Sequence, residues 1–302
     1  MTTLAQTTSA GSPVTLRAGW REMFATEHDA VVFARLAVGD RFEESRVRVR
    51  PLGTLSVPVA LRTGADGGAG GDARAFEAAF AERRSLPPFW LPRGARVLDL
   101  GCGAGNSCAA LAARDPLMRV LGVELDAASA AFAAEAVGEF AGRVRVMHGA
   151  AWGETGSVVF GGDDAWARRV VNLDAYPGLE PVRPLGTVAA FSMSALLDAC
   201  AGEGSRVDHI HMDIAGSEAA VFDQPARWLS GPGGGRVGSI RVHVSMPAKR
   251  EKIESRLVEQ GLIVRLDPRD DSVVTGMTRA FAAEQARFAR DSAMIEAPPP
   301  PC

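Results

Sequence analysis

Short apolar runs separated by helical segments fill the chain from residue 95 onward. Five such runs predict buried strands at residues 96–101, 119–126, 143–152, 209–214 and 239–244. Helical patterns occur at residues 106–114, 127–140 and 249–260, and two closing strands are predicted at 262–267 and 272–277. Strands that alternate with helices predict an α/β fold with a doubly wound, mostly parallel sheet, here of seven strands.

A different pattern precedes this region. Residues 46–62 alternate polar and apolar positions, which predicts a β-hairpin. A short helix is expected after it, with Asp72 as the N-cap and with Phe76 and Phe80 on one face. The start of the chain therefore predicts a small hairpin-and-helix extension to the sheet.

The chain is expected to divide into four segments. Small polar residues at 1–13 and a proline-rich tail at 291–302 predict disorder, residues 14–94 form the N-terminal extension, and residues 95–290 form the α/β domain. The connection 155–207 is long and is expected to add strands or a lid. Together with the extension, it is the expected location of a substrate pocket.

Composition narrows the range of partners. The chain is 47% hydrophobic and 23% charged, as in ordinary globular proteins, and its net charge of −3 gives no general attraction to nucleic acid. No apolar run approaches the roughly 18 residues of a membrane span. The N-terminus lacks a secretory pattern, and the four cysteines form no CxxC pair. We expect a cytoplasmic protein without nucleic-acid or membrane partners, and a homodimer is left open.

The segment VLDLGCGAG turns the first strand of this sheet into a helix. Gly101, Gly103 and Gly105 would let the backbone approach a ligand without Cβ atoms in the way, near the amides of a helix N-terminus. A dinucleotide fingerprint would have its third glycine one residue later, where this chain has Asn106. The early glycine favours a ligand without a pyrophosphate and predicts these four residues as ligand contacts.

Two acids accompany the glycine turn. Asp99 precedes the first glycine by two residues, and Glu124 ends the second strand, 19 residues after Gly105. A carboxylate at the end of that strand can accept hydrogen bonds from both hydroxyls of a ribose. Asp99 and Glu124 are therefore predicted to belong to a site for a ribose and an amino-acid moiety.

The run HIHMDI, residues 209–214, has two interpretations. Its two histidines and Asp213 share one face of a strand, which suggests a metal hydrolase. A binuclear hydrolase would need a histidine directly after the acid, where Ile214 stands, and the whole chain has only five histidines. A single-metal site built from Asp213, Glu218 and His243 remains open.

The second interpretation places Asp213 at a strand end on the ligand side of an open α/β sheet. His243 ends the next strand, and imidazole titrates near neutrality, so it is a candidate general base beside Asp213. His211 is the third candidate for catalysis. His209 lies early in its strand and is expected to be structural.

With these motifs the chain resembles class I methyltransferases that use S-adenosylmethionine, and more narrowly the FkbM family. The resemblance covers roughly residues 55–265 and rests on LPRGARVLDLGCGAG, VLGVELD, HGAAWGETGSVVF, FSMSALLDAC and VDHIHMDIAGSEAAVF. The last segment is similar to the K-x-D-x-E-G-x-E stretch of the family, which Asp213, Gly216 and Glu218 match. His211 stands in place of the usual Lys, and Ala215 in place of the usual Glu.

The resemblance implies a Rossmann-like methyltransferase sheet and S-adenosyl-L-methionine as the cofactor, with S-adenosyl-L-homocysteine as the product. It implies O-methylation of a hydroxyl on a small molecule of specialised metabolism, such as a sugar or a polyketide, with no need for a metal. It also implies that Asp213 and Leu125 contact the cofactor and that Ala150 and Ala151 lie where such enzymes bind the adenine.

Two other classes of protein remain open. An NAD(P)-dependent oxidoreductase would share the strand–glycine–helix pattern, although Asn106 disfavours it. A non-catalytic binding protein that keeps the fold would account for Ala215.

Overall fold

The structure is a computed structural model of the whole chain. It describes residues 2–7, 13–16, 23–37, 46–49, 57–62, 71–162, 168–171, 182–222, 227–230, 235–268 and 270–296.

Strands and helices alternate through most of the described chain. The strands are β1 Thr2–Thr7, β2 Pro13–Leu16, β3 Arg46–Val49, β4 Val57–Ala60, β5 Arg96–Leu100, β6 Arg119–Glu124, β7 Val144–His148, β8 Ala150–Trp152, β9 Gly156–Gly161, β10 Arg169–Val170, β11 Pro184–Ser192, β12 Val207–Met212, β13 Val237–His243, β14 Ile263–Asp267 and β15 Asp270–Met277. The helices are α1 Glu27–Ala37, α2 Gly71–Phe76 with a π-helical turn Glu77–Ala81, α3 Asn106–Ala112, α4 Ala127–Ala136, α5 Met193–Ala201, α6 Glu218–Val221, α7 Arg227–Ser230, α8 Arg250–Glu259 and α9 Arg279–Glu296.

The main sheet has seven strands in the order β7-β6-β5-β12-β13-β15-β14. β15 pairs antiparallel with both of its neighbours, and the other pairs in the sheet are parallel. The predicted α/β fold with a doubly wound, mostly parallel seven-stranded sheet is confirmed. The chain runs outward from β5 to β7 and then returns to β12 beside β5. Open α/β sheets bind ligands at such a switch point, beyond the carboxyl ends of the strands.

A second, smaller sheet interrupts the alternation between β7 and β12. Its order is β10-β9-β11-β8, so the long connection does contain the expected extra strands. The single strand predicted at 143–152 is wrong, because β7 pairs with β6 whereas β8 pairs with β11. The break falls at Gly149, where a Cβ would overlap the ring of Phe191, so only glycine lets the two sheets approach this closely.

The chain ends differ from the predicted disorder. Thr2–Thr7 forms β1 and pairs with β2, as β-branched threonines favour extended backbone. At the other end α9 continues to Glu296, because residues 291–296 include good helix formers, and the remaining tail lies outside the described residues. None of the helices described is long and apolar enough to cross a membrane.

The N-terminal extension shares a hydrophobic core with one face of the main sheet. The predicted hairpin is confirmed as β3 and β4, and the rings of Phe76 and Phe80 pack at an interplanar angle of 35° with centroids 4.9 Å apart. Phe33 and Phe76 belong to the same cluster of buried side chains as Val97 of β5. The opposite face of the sheet packs against α5 and α8 in a second cluster. The extension is therefore an integral part of the core on its side of the sheet.

An ion pair ties the extension to the sheet helices. Arg62 donates to the Asp72 carboxylate through Nε at 3.0 Å and Nη2 at 2.8 Å, and through Nη1 to Ser129 of α4 at 2.9 Å. Because α2 already begins at Gly71 and the Asp72 carboxylate faces Arg62, the predicted capping role of Asp72 is wrong. The two side chains are 12% and 4% exposed, so the pair is largely removed from water.

We expect Arg62→Met to destabilise the protein by about 3–5 kcal/mol, since it leaves a buried carboxylate without its cation. The double variant Arg62→Met/Asp72→Leu should recover much of this loss because both charges are then removed. Urea unfolding measures the effect. The matched control is Arg256→Met, which breaks an exposed pair with Glu259 and should cost about 1 kcal/mol or less. Equal losses in Arg62→Met and Arg256→Met would contradict the assignment.

Candidate active site

A cavity of about 330 Å³ lies beyond the carboxyl ends of β5, β6, β12 and β13. It brings together eight of the predicted site residues: Gly101, Gly103, Glu124, Leu125, Ala150, Ala151, Asp213 and His243. Val123, Gly149, Arg168, Val170, Ile214, Ala215, Ser217 and Ser245 complete the described lining. Among the described lining residues none precedes Gly101, so the described residues of the N-terminal extension add nothing to the wall of this cavity. The role of the extension in a substrate pocket stays a prediction.

The three glycines of the turn after β5 serve three different purposes. Gly101 (φ +82°) passes so close to β12 that a Cβ would overlap the carbonyl oxygen of Asp213. Gly103 (φ +53°) has open space where its Cβ would be, on the cavity side. Gly105 (φ +88°) precedes α3, and its missing Cβ allows contact with Ala133 of α4. Gly105 is thus a packing residue outside the described cavity lining, and its role as a ligand contact stays a prediction.

Asn106 also lies away from the cavity. It is the first residue of α3, is buried, and turns its amide toward the N-terminal extension, where Nδ2 lies 3.4 Å from the Asp72 carbonyl. This contact places the amide of Asn106 outside the described cavity lining, and its role as a ligand contact stays a prediction.

Glu124 ends β6 with its carboxylate at the cavity. Oε2 accepts the Gly103 amide at 2.9 Å, and Oε1 accepts the Asp126 amide at 2.8 Å. Burial raises the pKa of this carboxyl from its ordinary 4.5 to about 7, although the Gly103 amide and the charge of Arg62 oppose the shift. A ligand that donates hydrogen bonds to Glu124 would favour its ionised form.

Two predicted site residues lie below the cavity and contact each other instead. Asp99 is fully buried and accepts from His211 Nδ1 at 2.7 Å, from Ser107 at 2.6 Å and from the Cys108 thiol at 3.1 Å. Asp99 and His211 are direct cross-strand neighbours on β5 and β12. Both side chains therefore lie in a hydrogen-bonded layer beneath the turn and outside the described cavity lining. Asp99 as a ligand contact and His211 as a catalytic residue stay predictions.

His209 forms a similar structural contact lower in β12. Its Nδ1 lies 2.9 Å from the Ser239 hydroxyl, and burial holds the pKa of its imidazole well below the ordinary value. The structure thus gives His209 the structural surroundings expected of it.

Asp213 and His243 meet at the cavity. His243 Nδ1 lies 3.3 Å from Asp213 Oδ1, and 45% of the Asp213 side chain is accessible to solvent. The hydrogen bond to Asp213 is the main reason why the pKa of His243 is raised. Burial alone would raise the pKa of Asp213, but the hydrogen bond and charge of His243 lower it below the ordinary value. Each partner therefore favours the charged form of the other.

Glu218 is occupied by local contacts. At the start of α6 it is buried, and Oε1 accepts the Gly216 amide at 3.1 Å and the Ser245 hydroxyl at 2.8 Å. These bonds hold the turn through Ala215 (φ +47°) and Gly216 (φ +93°). Within the described residues no group of three His, Cys, Asp or Glu side chains could hold a metal ion.

The small sheet supplies cavity residues that the sequence pattern does not reveal. Arg168, beside β10, lines the cavity and forms an ion pair with Asp126, which also caps α4 as expected. Val170 of β10 lies on the same wall. The expected lid in this connection is the sequence feature that points to these residues. It indicates the segment but not the individual positions.

Comparison with known proteins gives structural likenesses only. No protein-family model matches the chain, and no curated protein sequence matches it. Membership in the FkbM family therefore stays a prediction.

Several solved structures share part of the fold. Fibrillarin of Aeropyrum pernix, in complex with S-adenosyl-L-methionine, is 15% identical over 78% of this chain and 95% of its own, with a TM-score of 0.40. Precorrin-6y C5,15-methyltransferase of Geobacter metallireducens is 12% identical over 65% and 85%, with a TM-score of 0.37. Magnesium protoporphyrin IX methyltransferase of Synechocystis, with bound cofactor, is 11% identical over 68% and 76%, with a TM-score of 0.34. None of these likenesses is close enough to assign an activity.

The raised pKa of Glu124 predicts a pH-dependent stability. The folded state holds this proton more tightly than the unfolded state, so the stabilisation is complete below pH 4.5 and is lost as the pH rises through about 7. Between about pH 5 and pH 8, Glu124→Gln should gain up to about 3 kcal/mol of stability relative to the unchanged protein. Urea unfolding across this range measures it. The exposed Glu259→Gln is the control, and parallel profiles for Glu124→Gln and the unchanged protein would contradict the assignment.

Proposed function

We propose that this protein is an S-adenosyl-L-methionine-dependent methyltransferase of the FkbM type. The observation that carries the proposal is the arrangement of one cavity. One side of it is formed by the strand-end carboxylate of Glu124 and by two glycines of the turn, Gly101 and Gly103. An Asp213–His243 pair lies at the other strand ends.

The residues of the cavity fit this cofactor. Glu124 has a carboxylate for the ribose hydroxyls, and the open face of Gly103 leaves room for the amino-acid moiety. Leu125, Ala150 and Ala151 give an apolar wall for the adenine. Glu124 and Asp213 are acidic, which suits a cationic sulfonium better than a pyrophosphate. When bound, S-adenosyl-L-methionine supplies an activated methyl group.

The Asp213–His243 pair provides the base. With the imidazole proton on Nδ1 and donated to Asp213, Nε2 is the ring nitrogen left to accept the proton of a substrate hydroxyl. As that proton arrives, the Asp213 carboxylate stabilises the imidazolium, and the hydroxyl oxygen becomes a better nucleophile. Asp213 is thus both the orienting partner of His243 and part of the cofactor wall, whereas His211 acts below them as a positioning residue through Asp99.

The substrate class rests on the FkbM resemblance. We propose that the acceptor is a hydroxyl on a small molecule of specialised metabolism, such as a sugar or a polyketide, and that the protein acts in the cytoplasm without nucleic-acid or membrane partners. A homodimer is compatible with this proposal. A small acceptor is supported by the size of the cavity, about 330 Å³, which is near the lower end of the range for small-molecule sites.

Substitution of His243 should impair catalysis without impairing cofactor binding. His243→Asn should lower kcat about 10²–10³-fold, because no base then takes the proton of the acceptor hydroxyl, while the affinity for S-adenosylhomocysteine changes little. In the unchanged enzyme the rate should rise with pH as His243 loses its proton, through a pKa above the ordinary 6.5 of imidazole. Because Asp213 raises that pKa, Asp213→Asn should move the rise in rate to lower pH. Transfer of a labelled methyl group to a panel of sugars and phenols measures both effects.

The remote and exposed His28→Asn is the matched control and should keep full activity. Equal rates in His243→Asn and the unchanged enzyme would rule out His243 as the base. Absence of methyl transfer to every acceptor of the panel, with cofactor bound, would favour a non-catalytic binding protein.

A further inference from the structure

A second cavity, of about 680 Å³, lies between α9 and the β13–β15–β14 edge of the main sheet. Its floor is the sheet face that bears Arg241 and Thr275, and its other walls come from α9 and from the segment at Phe89. Of the described residues that line the two cavities, none is shared. This cavity is therefore separate from the proposed active site.

A row of polar residues crosses the sheet beneath this cavity. Arg241, Thr275 and Arg265 are direct cross-strand neighbours on β13, β15 and β14, and all three line the cavity. Arg241 is 3% exposed and Thr275 is also buried, whereas Arg265 is exposed. Polar groups on a buried sheet face are unfavourable unless they are paired or are used by a ligand.

The guanidinium of Arg241 is incompletely paired. Nη2 donates to Asp267 at 2.8 Å and Nε donates to the Arg84 carbonyl at 2.9 Å. Nη1 is buried and has no hydrogen-bond partner in the described part of the chain. A buried, charged donor without an acceptor is uncommon in folded proteins and indicates a missing partner.

The charges and walls of the cavity define the chemistry of that partner. Among the described lining residues Arg241 and Arg265 carry two positive charges and Asp267 carries one negative charge, which leaves an excess of one positive charge. The remaining walls are mostly apolar and come from Pro88, Phe89, Leu266, Pro268, Met277, Ala282 and Ala286. A ligand that matches this cavity carries one negative charge on an apolar body.

We propose that this cavity binds a small amphipathic carboxylate as a second ligand. Its carboxylate pairs with Arg241 and Arg265, since a guanidinium matches the two oxygens of a carboxylate, and its apolar body packs against Phe89 and Met277. The volume is that of an ordinary small-molecule site. The proposal holds whether or not the first cavity carries methyltransferase activity.

Phenylbutyrate and its uncharged analogue phenylbutanol are the probes, titrated calorimetrically into the full chain. We expect the acid to bind about tenfold or more tightly than the alcohol, because only the acid pairs with the two arginines. Arg265→Glu should weaken binding of the acid about tenfold, and Ala286→Trp, which fills the cavity from α9, should abolish it. Arg119→Glu makes the same charge change at an exposed position on β6 and should leave binding unchanged.

Circular dichroism checks that each variant is folded, and Ala282→Leu replaces Ala286→Trp if the larger side chain prevents folding. Equal binding of acid and alcohol would overturn the carboxylate as the recognised group. Undiminished binding of phenylbutyrate to Ala286→Trp would show that the acid binds elsewhere and would overturn the proposed site. Displacement of phenylbutyrate by S-adenosylhomocysteine would do the same. No measurable binding of phenylbutyrate would overturn the proposal as well.

Discussion

The close approach of two strand ends, β5 and β12, is the constraint on which the active site depends. The Asp213 amide donates to the Leu100 carbonyl at 2.9 Å, and the carbonyl of Asp213 occupies the space in which a side chain at Gly101 would lie. Any residue other than glycine at this position would push the strands apart. The contact holds Asp213 beside the glycine turn, and thereby sets the distance between the cofactor wall and the proposed base.

A buried polar layer supports this contact from below. Asp99 of β5 accepts hydrogen bonds from His211 of β12 and from Ser107 and Cys108 of α3. It therefore fixes the two strands and the helix of the glycine turn relative to one another. Buried polar groups that are fully hydrogen-bonded restrict a core to one arrangement, at the expense of desolvation. Above this layer the His243 ring lies 3.3 Å from the Asp213 carboxylate, at the solvent-accessible edge of the cavity.

The sequence indicates the elements and the ligand edge, because strands, turns and helix starts are local patterns. Glu124 and Asp213 were predicted at the site from their positions at strand ends. Asp99 and His211 were predicted at the ligand side and lie below it, since their pairing joins residues far apart in the chain and depends on strand register. Arg168 was missed for a related reason. Its position at the cavity depends on how the small sheet packs beside the main sheet, which is a contact between segments far apart in the chain.

A calorimetric titration with S-adenosylhomocysteine tests the central claim, that the cavity at Glu124 is a cofactor site. We expect saturable binding of one molecule per chain and no binding of NAD. Glu124→Gln, which replaces the charged acceptor of the ribose hydroxyls, should lower the affinity about tenfold or more. Binding of NAD, or an unchanged affinity in Glu124→Gln, would contradict it.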